Sequence, residues 1–347
     1  MSSQASNRLQ ILVVKLTSMG DALHLLPALS DLQQRFPDAE IDWLIEDSFA
    51  EIPEWHTSVR RVIPVSTRRW RKLKRQNLGE FRDFVRQLRA QQYHVVIDAQ
   101  GLMKSSVIAR LARLASGGKR VGFSASSIKE RPAAKLYNTK IEVDRRQHAI
   151  DRLRQLFSRA FEYPLPAHDP DYAITLKAPT ARTPGTILFV PGTTWASKHL
   201  PDQHWRQLAR EVLADGYRVE ISWGNEAERE RAVWIAQGNS DIHVLEKCSL
   251  TQLAQKLTGY AGCIAVDTGI GHMAAALAVP AVSVYGSTDA RLTGAVGKHQ
   301  THIQCAYPCS PCFLKECDKL TEQVTDPPCY QSLKPADIWQ ALYQEIV

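Results

Sequence analysis

Two glycine-rich motifs that bind nucleotides are absent from the chain. No Gly-x-Gly-x-x-Gly follows the first apolar stretch that predicts a strand, Ile11-Leu12-Val13-Val14, and no Gly-x-x-x-x-Gly-Lys-Ser/Thr occurs at any position. The first absence argues against a dinucleotide-dependent oxidoreductase, and the second excludes a P-loop nucleotide hydrolase.

Long apolar runs and paired cysteines are also scarce. The longest apolar run, residues 273–284, is interrupted by Pro280 and is too short to span a bilayer. Residues 1–7 lack the basic and apolar regions of a secretion signal, so a cytoplasmic protein is expected. Seven cysteines, an odd number in a chain of 347 residues, fit free thiols or a metal better than a disulfide framework.

The length and the alternation of apolar segments predict two α/β domains. A chain of 347 residues with 44% hydrophobic and 23% charged residues is globular in composition and too long for one ordinary core. Segments typical of buried strands alternate with segments of helical periodicity in both halves, which predicts two doubly wound parallel sheets. The predicted strands lie at residues 11–14, 41–45, 62–65 and 95–98, and then at 186–190, 218–222, 242–244, 263–267 and 281–285.

The domain boundary is predicted where the composition changes. Proline, threonine and alanine dominate around residues 164–184. We therefore expect a first domain over residues 1–176 and a second over residues 177–334. A closing helix over residues 335–347 could pack back on the first domain.

Positive charge is concentrated in the first half of the chain. Residues 60–75 contain eight basic residues and no acid, and residues 104–140 contain nine basic residues and one acid, Glu130. This distribution predicts an anionic partner for the first domain.

Asp21 follows the first predicted strand at the point where a helix begins. Open α/β sheets bind their ligands at the carboxyl ends of the strands, so this carboxylate is a candidate general base for a bound hydroxyl. The alternative is that Asp21 only caps the helix by accepting hydrogen bonds from its first N–H groups.

A second candidate site lies in the other domain, at Asp267-Thr268-Gly269-Ile270-Gly271-His272. These residues follow a predicted strand and begin a helix, whose N-terminal N–H groups can bind a diphosphate. The alternative is an ordinary turn between a strand and a helix, in which the glycines only permit the backbone conformation of the turn.

Two further loops of the second domain carry residues suited to a nucleotide. The loop after its first strand contains Thr193, Thr194 and Lys198, which can donate to phosphate, although a lone loop lysine is more often simply solvated. Glu228, near the start of a later helix, can accept hydrogen bonds from ribose hydroxyls. The alternative is that its negative charge only interacts favourably with the positive end of the helix dipole.

The chain resembles the bacterial heptosyltransferases, inverting glycosyltransferases of the GT-B fold that build the inner core of lipopolysaccharide. The resemblance covers residues 9–300. The stretches that carry it are Lys15-Leu16-Thr17-Ser18-Met19-Gly20-Asp21, Asp42-Trp43-Leu44-Ile45-Glu46, Ile52-Pro53-Glu54-Trp55-His56, Arg68-Arg69-Trp70-Arg71-Lys72, Ile97-Asp98-Ala99-Gln100-Gly101-Leu102-Met103-Lys104-Ser105, Gln147-His148-Ala149 and Asp267-Thr268-Gly269-Ile270-Gly271-His272. It implies two Rossmann-like domains facing across a cleft.

The resemblance also implies a reaction and roles for particular residues. The reaction would transfer L-glycero-D-manno-heptose from ADP-heptose to the Kdo residue of Kdo2-lipid A, without a required metal or cofactor, at the cytoplasmic face of the inner membrane. Asp21 would be the general base, and Lys198 would stabilise the departing diphosphate. The donor would contact Thr193, Thr194, Glu228, Cys248, Asp267, Thr268, Gly269 and His272. The acceptor would contact Arg68, Arg69, Arg71, Lys72 and Arg131.

Three features depart from the family pattern. The segment containing Arg131 only approximates the acceptor loop of the family, and Cys248 stands where a methionine beside the adenine is expected. The third is a group of cysteines near the end of the chain, Cys305, Cys309, Cys312, Cys317 and Cys329. The last four are candidate metal ligands, although their spacing differs from that of a zinc finger and inert thiols are the alternative.

Alternative functions remain open at the level of the sequence. A related enzyme could use another acceptor, such as the second core heptose or a serine of an autotransporter. A nucleic-acid-binding protein would explain the basic stretch at residues 60–75, with Trp70 stacking on bases, but would give Asp21, Lys198 and the Asp267 loop no use. We therefore expect no specific nucleic acid partner. A GT-B epimerase would leave the basic residues without a role.

Overall fold

The computed structural model describes residues 8–70, 76–177 and 183–347, apart from the side chains of residues 68, 76 and 77. The chain divides into two units, Met1–Thr175 and Leu176–Val347. The observed division lies one residue before the boundary expected from the composition.

The first unit is a parallel sheet with helices between its strands. Its strands are β1 (Gln10–Val14), β2 (Glu40–Glu46), β3 (Val59–Val65), β4 (Gln92–Asp98), β5 (Arg113–Phe123) and β6 (Thr139–Ile141). Its helices are α1 (Met19–Leu23), α2 (Leu26–Arg35), α3 (Glu51–Glu54), α4 (Thr67–Trp70), α5 (Gln76–Leu88), α6 (Met103–Leu111) and α7 (Ala149–Ala160). The strand order is β3-β2-β1-β4-β5-β6.

The central strand of this sheet is the one that the apolar run predicted. Ile11, Leu12, Val13 and Val14 are fully buried, and β1 pairs in parallel with β2 and β4. A strand buried on both faces carries no polar alternation, which is why the run is continuous. The carboxyl ends of β1, β2 and β4 consequently lie side by side. The residues that follow Val14, Ile45 and Ile97 therefore lie at the same edge of the first sheet.

The second unit repeats this architecture. Its strands are β7 (Thr183–Val190), β8 (Arg218–Ile221), β9 (Ile242–Val244), β10 (Tyr260–Val266), β11 (Ala281–Tyr285) and β12 (Gln300–Gln304). Its helices are α8 (Asp202–Ala214), α9 (Glu226–Ala236), α10 (Leu250–Leu257), α11 (Gly269–Ala276), α12 (Ala290–Thr293) and α13 (Pro335–Ile346). The strands pair in parallel in the order β12-β11-β10-β7-β8-β9.

The last helix packs on the second unit, which corrects the expectation that it could return to the first domain. Helix α13 contacts α8 and strands β10, β11 and β12. Its Ile338, Trp339 and Leu342 belong to the core formed with β7, β10 and α8, and the Trp339 Nε1–H donates to Asp215 at 2.6 Å. These apolar side chains recur at helical spacing, so the amphipathic face determines where the helix packs.

No helix in the described part of the chain combines the length and the apolar character needed to cross a bilayer.

Candidate active site

Asp21 lies in the first turn of α1, immediately beyond the carboxyl end of β1. One carboxylate oxygen, Oδ1, accepts from Lys15 Nζ at 3.1 Å, and the other accepts from the backbone N–H of Ser18 at 2.9 Å and from its hydroxyl at 3.1 Å. The bond from the N-cap residue shows that Asp21 does cap the helix, as the alternative interpretation required. An ionised carboxylate offers about four lone-pair sites, so these three bonds still leave room for a hydroxyl.

The charge of Asp21 is set by a buried lysine. Burial alone would raise the pKa of this carboxyl group, but the Lys15 ammonium and the Ser18 N–H outweigh it and lower the pKa to about 2. The Lys15 side chain is only 6% exposed, whereas that of Asp21 is 42% exposed. The carboxylate is therefore ionised at neutral pH and open to solvent on one side. Sequence reasoning assigned no role to Lys15, although its place directly after an apolar run was visible.

The basic residues expected to meet the acceptor are only partly described. Arg71 and Lys72 lie outside the described residues, and of Arg68 only the backbone, in α4, is described. Arg69 is exposed and forms ion pairs with Asp47 at 3.2 Å and Glu80 at 2.6 Å. Arg131 lies on an exposed turn that begins at its own position.

A second cation at this edge of the first sheet was not predicted as a site residue. Lys104, at the start of α6, donates to Glu46 Oε1 at 3.1 Å and to Thr67 Oγ1 at 2.8 Å. Glu46 is the last residue of β2 and is buried. Lys104 balances its negative charge, and the Thr67 hydroxyl donates a hydrogen bond to its carboxylate. In the sequence, Lys104 lies shortly after the strand predicted at residues 95–98. This position is weak evidence for a site residue, because most lysines near strand ends are solvated.

In the second unit, Lys198 and Asp267 form a close, largely buried ion pair. Lys198 Nζ lies 2.6 Å from Asp267 Oδ2, and the two side chains are 13% and 8% exposed. Thr288 Oγ1 donates to the same carboxylate oxygen at 2.6 Å. Lys198 also lies 4.5 Å from the centre of the Trp195 ring. These contacts with Asp267 and Trp195 fix the position of the ammonium.

The surroundings of Asp267 hold it as an anion. Burial would raise its pKa, but His272 and the Lys198 ammonium lower it well below the usual range of a carboxyl group. His272 Nε2 lies 3.8 Å from Oδ1. Because its oxygens are already engaged by these partners, the carboxylate orients Lys198 in this geometry.

The loop residues around this pair meet at the carboxyl end of β10. Thr193 Oγ1 donates to the Asp267 carbonyl at 3.1 Å, which ties the loop after β7 to the loop after β10. Thr268 is the N-cap of α11, and Gly269 is its first residue. Thr194 is exposed to solvent. A positive charge, a hydroxyl and the N-terminus of an eight-residue helix therefore converge, and this combination suits a diphosphate.

Glu228 lies beside Gly192, which precedes the threonines in the same loop. Its carboxylate accepts from the Gly224 N–H at 2.7 Å, and a Cβ atom at Gly192 would lie 2.6 Å from Glu228 Oε2. Only glycine at 192 leaves this space to the carboxylate. The loop is further fixed by Arg231, which sequence reasoning missed and which donates to the Pro191 carbonyl at 2.8 Å.

Cys248 is half-buried and follows strand β9. It lines a cavity of about 540 Å³ together with Glu220, Tyr260 and residues of α10. The prediction that it lies beside an adenine stays a prediction.

The five cysteines near the end of the chain differ in burial. Cys305 and Cys329 are both buried in the core of the second unit. Cys309, Cys312 and Cys317 are half-buried. Within the described ranges, no group of three or more His, Cys, Asp or Glu side chains is arranged to hold a metal ion. The role of Cys309, Cys312, Cys317 and Cys329 as metal ligands stays a prediction.

Comparison with known proteins defines the class. The profile of Glycosyltransferase family 9 (heptosyltransferase) matches residues 81–321. The chain is 44% identical to lipopolysaccharide heptosyltransferase 1 of Pseudomonas aeruginosa over 313 residues, which is 89% of this chain and 87% of that protein.

Solved structures agree with this assignment. The Escherichia coli heptosyltransferase WaaC with ADP superposes with a TM-score of 0.84 at 37% identity, covering 97% of this chain and 100% of that one. The same enzyme with ADP-2-deoxy-2-fluoro heptose gives a TM-score of 0.78 at 40% identity, covering 86% of this chain and 94% of that one.

The two parallel six-stranded sheets, each with candidate site residues at the carboxyl ends of its strands, define an α/β glycosyltransferase of the GT-B fold. More specifically, the chain belongs to glycosyltransferase family 9, the heptosyltransferases. The family and the fold class expected from the sequence are confirmed.

Proposed function

We propose that this enzyme transfers L-glycero-D-manno-heptose from ADP-heptose to the Kdo residue of Kdo2-lipid A, in the synthesis of the lipopolysaccharide inner core. The observation that carries the proposal is the Lys198 ammonium, fixed by Asp267 beside the N-terminus of α11. This arrangement is a preformed site for the diphosphate of a nucleotide sugar. The similar Escherichia coli WaaC has been solved with ADP-2-deoxy-2-fluoro heptose, which supports the choice of nucleotide and sugar.

The donor is held by side chains of the second unit. Lys198 and the hydroxyls of Thr193 and Thr194 bind the diphosphate oxygens, and Thr268, Gly269 and His272 line the same part of the site. Glu228, kept in place by the Gly224 N–H, accepts hydrogen bonds from the ribose hydroxyls. Cys248 packs near the adenine. No divalent metal is required in this proposal, because the ammonium and the helix N-terminus supply the positive charge.

Asp21 is the general base of the proposed reaction. A Kdo hydroxyl donates its proton to the Asp21 carboxylate while the hydroxyl oxygen attacks the anomeric carbon of the heptose. The bond from that carbon to the diphosphate breaks on the opposite face, and ADP leaves with the electron pair, so the configuration inverts. Lys198 stabilises the negative charge that develops on the leaving diphosphate. The low pKa of Asp21 keeps the carboxylate unprotonated before each turnover.

The acceptor is recognised by positive charge on the first unit. Kdo2-lipid A carries phosphates and carboxylates, and the basic residues at 60–75 and 104–140 offer matching cations. We assign this role to Arg68, Arg69, Arg71, Lys72 and Arg131. An enzyme with this acceptor works at the cytoplasmic face of the inner membrane as a peripheral protein.

A transfer assay with a panel of acceptors tests the proposal. The purified enzyme is incubated with ADP-heptose and with Kdo2-lipid A that carries no heptose, the same lipid already carrying one heptose, or a serine-containing autotransporter segment. We expect transfer to the first acceptor only. Transfer confined to either of the others would assign the enzyme to another acceptor, and release of ADP without any glycosylated product would contradict the proposal.

A further inference from the structure

The segment that carries five of the seven cysteines runs along the loop that carries Lys198. We call residues 305–330 the cysteine segment. The Ser197 N–H donates to the Lys315 carbonyl at 3.1 Å, and the Ser197 hydroxyl donates to the Leu314 carbonyl at 2.5 Å. Ser197 is 2% exposed, so these bonds form away from water. The residue next to Lys198 is therefore anchored by backbone groups more than one hundred positions further along the chain.

A tyrosine of the cysteine segment reaches the same residue. Tyr330 is fully buried, and its hydroxyl donates to the Ser197 carbonyl at 3.3 Å. The ring has room because residue 286 is glycine, where a Cβ atom would lie 2.5 Å from the Tyr330 hydroxyl oxygen. The N–H, the hydroxyl and the carbonyl of Ser197 are thus all bonded to the cysteine segment.

The cysteine segment also fixes the loop whose Thr288 contacts Asp267, the partner of Lys198. The Phe313 N–H donates to the Ser287 carbonyl at 2.7 Å, and the Ser310 hydroxyl donates to the Gly286 carbonyl at 2.7 Å. The next residue in that loop is Thr288, whose hydroxyl donates to the Asp267 carboxylate at 2.6 Å. The Ser197 and Ser287 hydroxyls are bonded at 3.0 Å, which joins the two loops.

We propose that Ser197 and Tyr330 are positioning residues, through which the cysteine segment sets the place of the Lys198 ammonium against the leaving diphosphate. The inference rests on the role of Lys198 in the proposed function. A displacement of about 1 Å can cost roughly 100-fold in rate when a catalytic group must be aligned, so the anchoring of this loop acts on turnover as well as on stability.

A double-mutant cycle separates positioning from simple packing. Ser197→Ala is made in the native enzyme and in Lys198→Met, and kcat and the KM for ADP-heptose are measured for all four proteins. Ser332→Ala is the matched control, because its hydroxyl bonds to the Cys329 carbonyl and not to the Lys198 loop. We expect Ser197→Ala to lower kcat by roughly 10-fold to 100-fold in the native enzyme. In the Lys198→Met background it should lower kcat less than about 2-fold, because the ammonium that it aligns is gone.

Two outcomes would overturn the inference, and a third concerns the proposed function. An equal loss of kcat in both backgrounds would show that Ser197 acts independently of Lys198, and an unchanged kcat in the native background would show that it has no effect. If Lys198→Met itself turned over like the native enzyme, the role proposed for Lys198 would be wrong. Tyr330→Phe keeps the ring and removes the hydroxyl, so it supports the same cycle if Ser197→Ala does not fold.

Discussion

Replacement of Lys198 by methionine removes the ammonium from the buried pair and has two separable consequences. The first concerns stability, since Asp267 is left as a buried anion. Breaking a buried ion pair by removing one partner costs about 3–5 kcal/mol. Thr288 at 2.6 Å and His272 at 3.8 Å remain beside the carboxylate, so we expect a value near the lower end, about 3 kcal/mol. That is less than the total stability of roughly 5–15 kcal/mol expected for a folded protein, so the variant should still fold.

The second consequence concerns catalysis. A fixed donor of positive charge opposite a developing anion is worth about 2.7–4 kcal/mol, which corresponds to a loss of roughly 100-fold to 1,000-fold in kcat. The double variant Lys198→Met with Asp267→Asn separates the two effects. It contains no buried unpaired charge, so most of the stability should return while kcat stays low. Urea unfolding gives the stability, and continuous measurement of ADP release gives kcat. Native-like turnover in the double variant would refute the role of Lys198.

Three further predictions test other parts of the site. Gly192→Ala should raise the KM for ADP-heptose roughly 10-fold in a steady-state assay, because the added Cβ displaces the Glu228 carboxylate. Gly185→Ala is the control, since a Cβ there meets nothing within 4 Å, and it should leave this KM unchanged. Arg69→Ala should raise the acceptor KM several-fold and spare the donor KM, and Arg86→Ala, which removes another exposed ion pair on α5, serves as its control. Asp267→Asn should destabilise the protein at pH 7 and much less near pH 2. The pKa of Asp267 is depressed in the folded state, so the ionised carboxylate contributes fully to the free energy of unfolding above the ordinary carboxyl pKa. This contribution is lost as the pH falls further. Urea unfolding of the native enzyme and the variant at both pH values measures the difference.

The sequence predicted the inner strands of both sheets except β5, together with the edge strands β3 and β9. The apolar runs at 11–14, 41–45, 186–190 and 263–266 coincide with β1, β2, β7 and β10, which lie inside their sheets. Strands β6 and β12 were missed because each contains a single aliphatic residue and shows no apolar run, whereas the edge strand β9 has Ile242 and Val244. Strand β5 was also missed, since only its last three residues are buried.

Candidate site residues could be predicted only where a single short segment of the sequence indicated them. Asp21, Lys198 and Asp267 each follow a predicted strand, and the rule that ligands bind at the carboxyl ends of strands identifies them. Lys15 also follows a predicted strand, but this position alone assigned it no role, and Arg231 lies within a helix and meets no such rule. The role of Lys15 depends on its burial beside Asp21, and Arg231 reaches a carbonyl 40 positions away, so both follow from the folded chain.

The prediction of metal ligands among the cysteines stays a prediction, but the structure gives their segment other contacts. Cys309, Cys312 and Cys317 are close in sequence, and that density suggested a thiolate site. In the fold, Cys329, another predicted ligand, lies in the same buried core as Cys305. The segment is instead connected by backbone groups of Phe313, Leu314 and Lys315 to loops of the site, which no spacing of cysteines could indicate.

The central claim is that the Asp21 carboxylate removes the proton from the acceptor hydroxyl. Its most direct test is the rate of heptose transfer in a single turnover by Asp21→Asn, measured with the affinity for ADP-heptose in the same preparation. Asparagine keeps the size and the N–H contact of Ser18 but cannot take a proton, so we expect the transfer rate to fall by roughly 100-fold to 10,000-fold with the donor affinity nearly unchanged. Since the pKa of Asp21 is about 2, the native enzyme should show no loss of rate from this group between about pH 8 and pH 5. A transfer rate in Asp21→Asn within a few-fold of the native rate would contradict the claim.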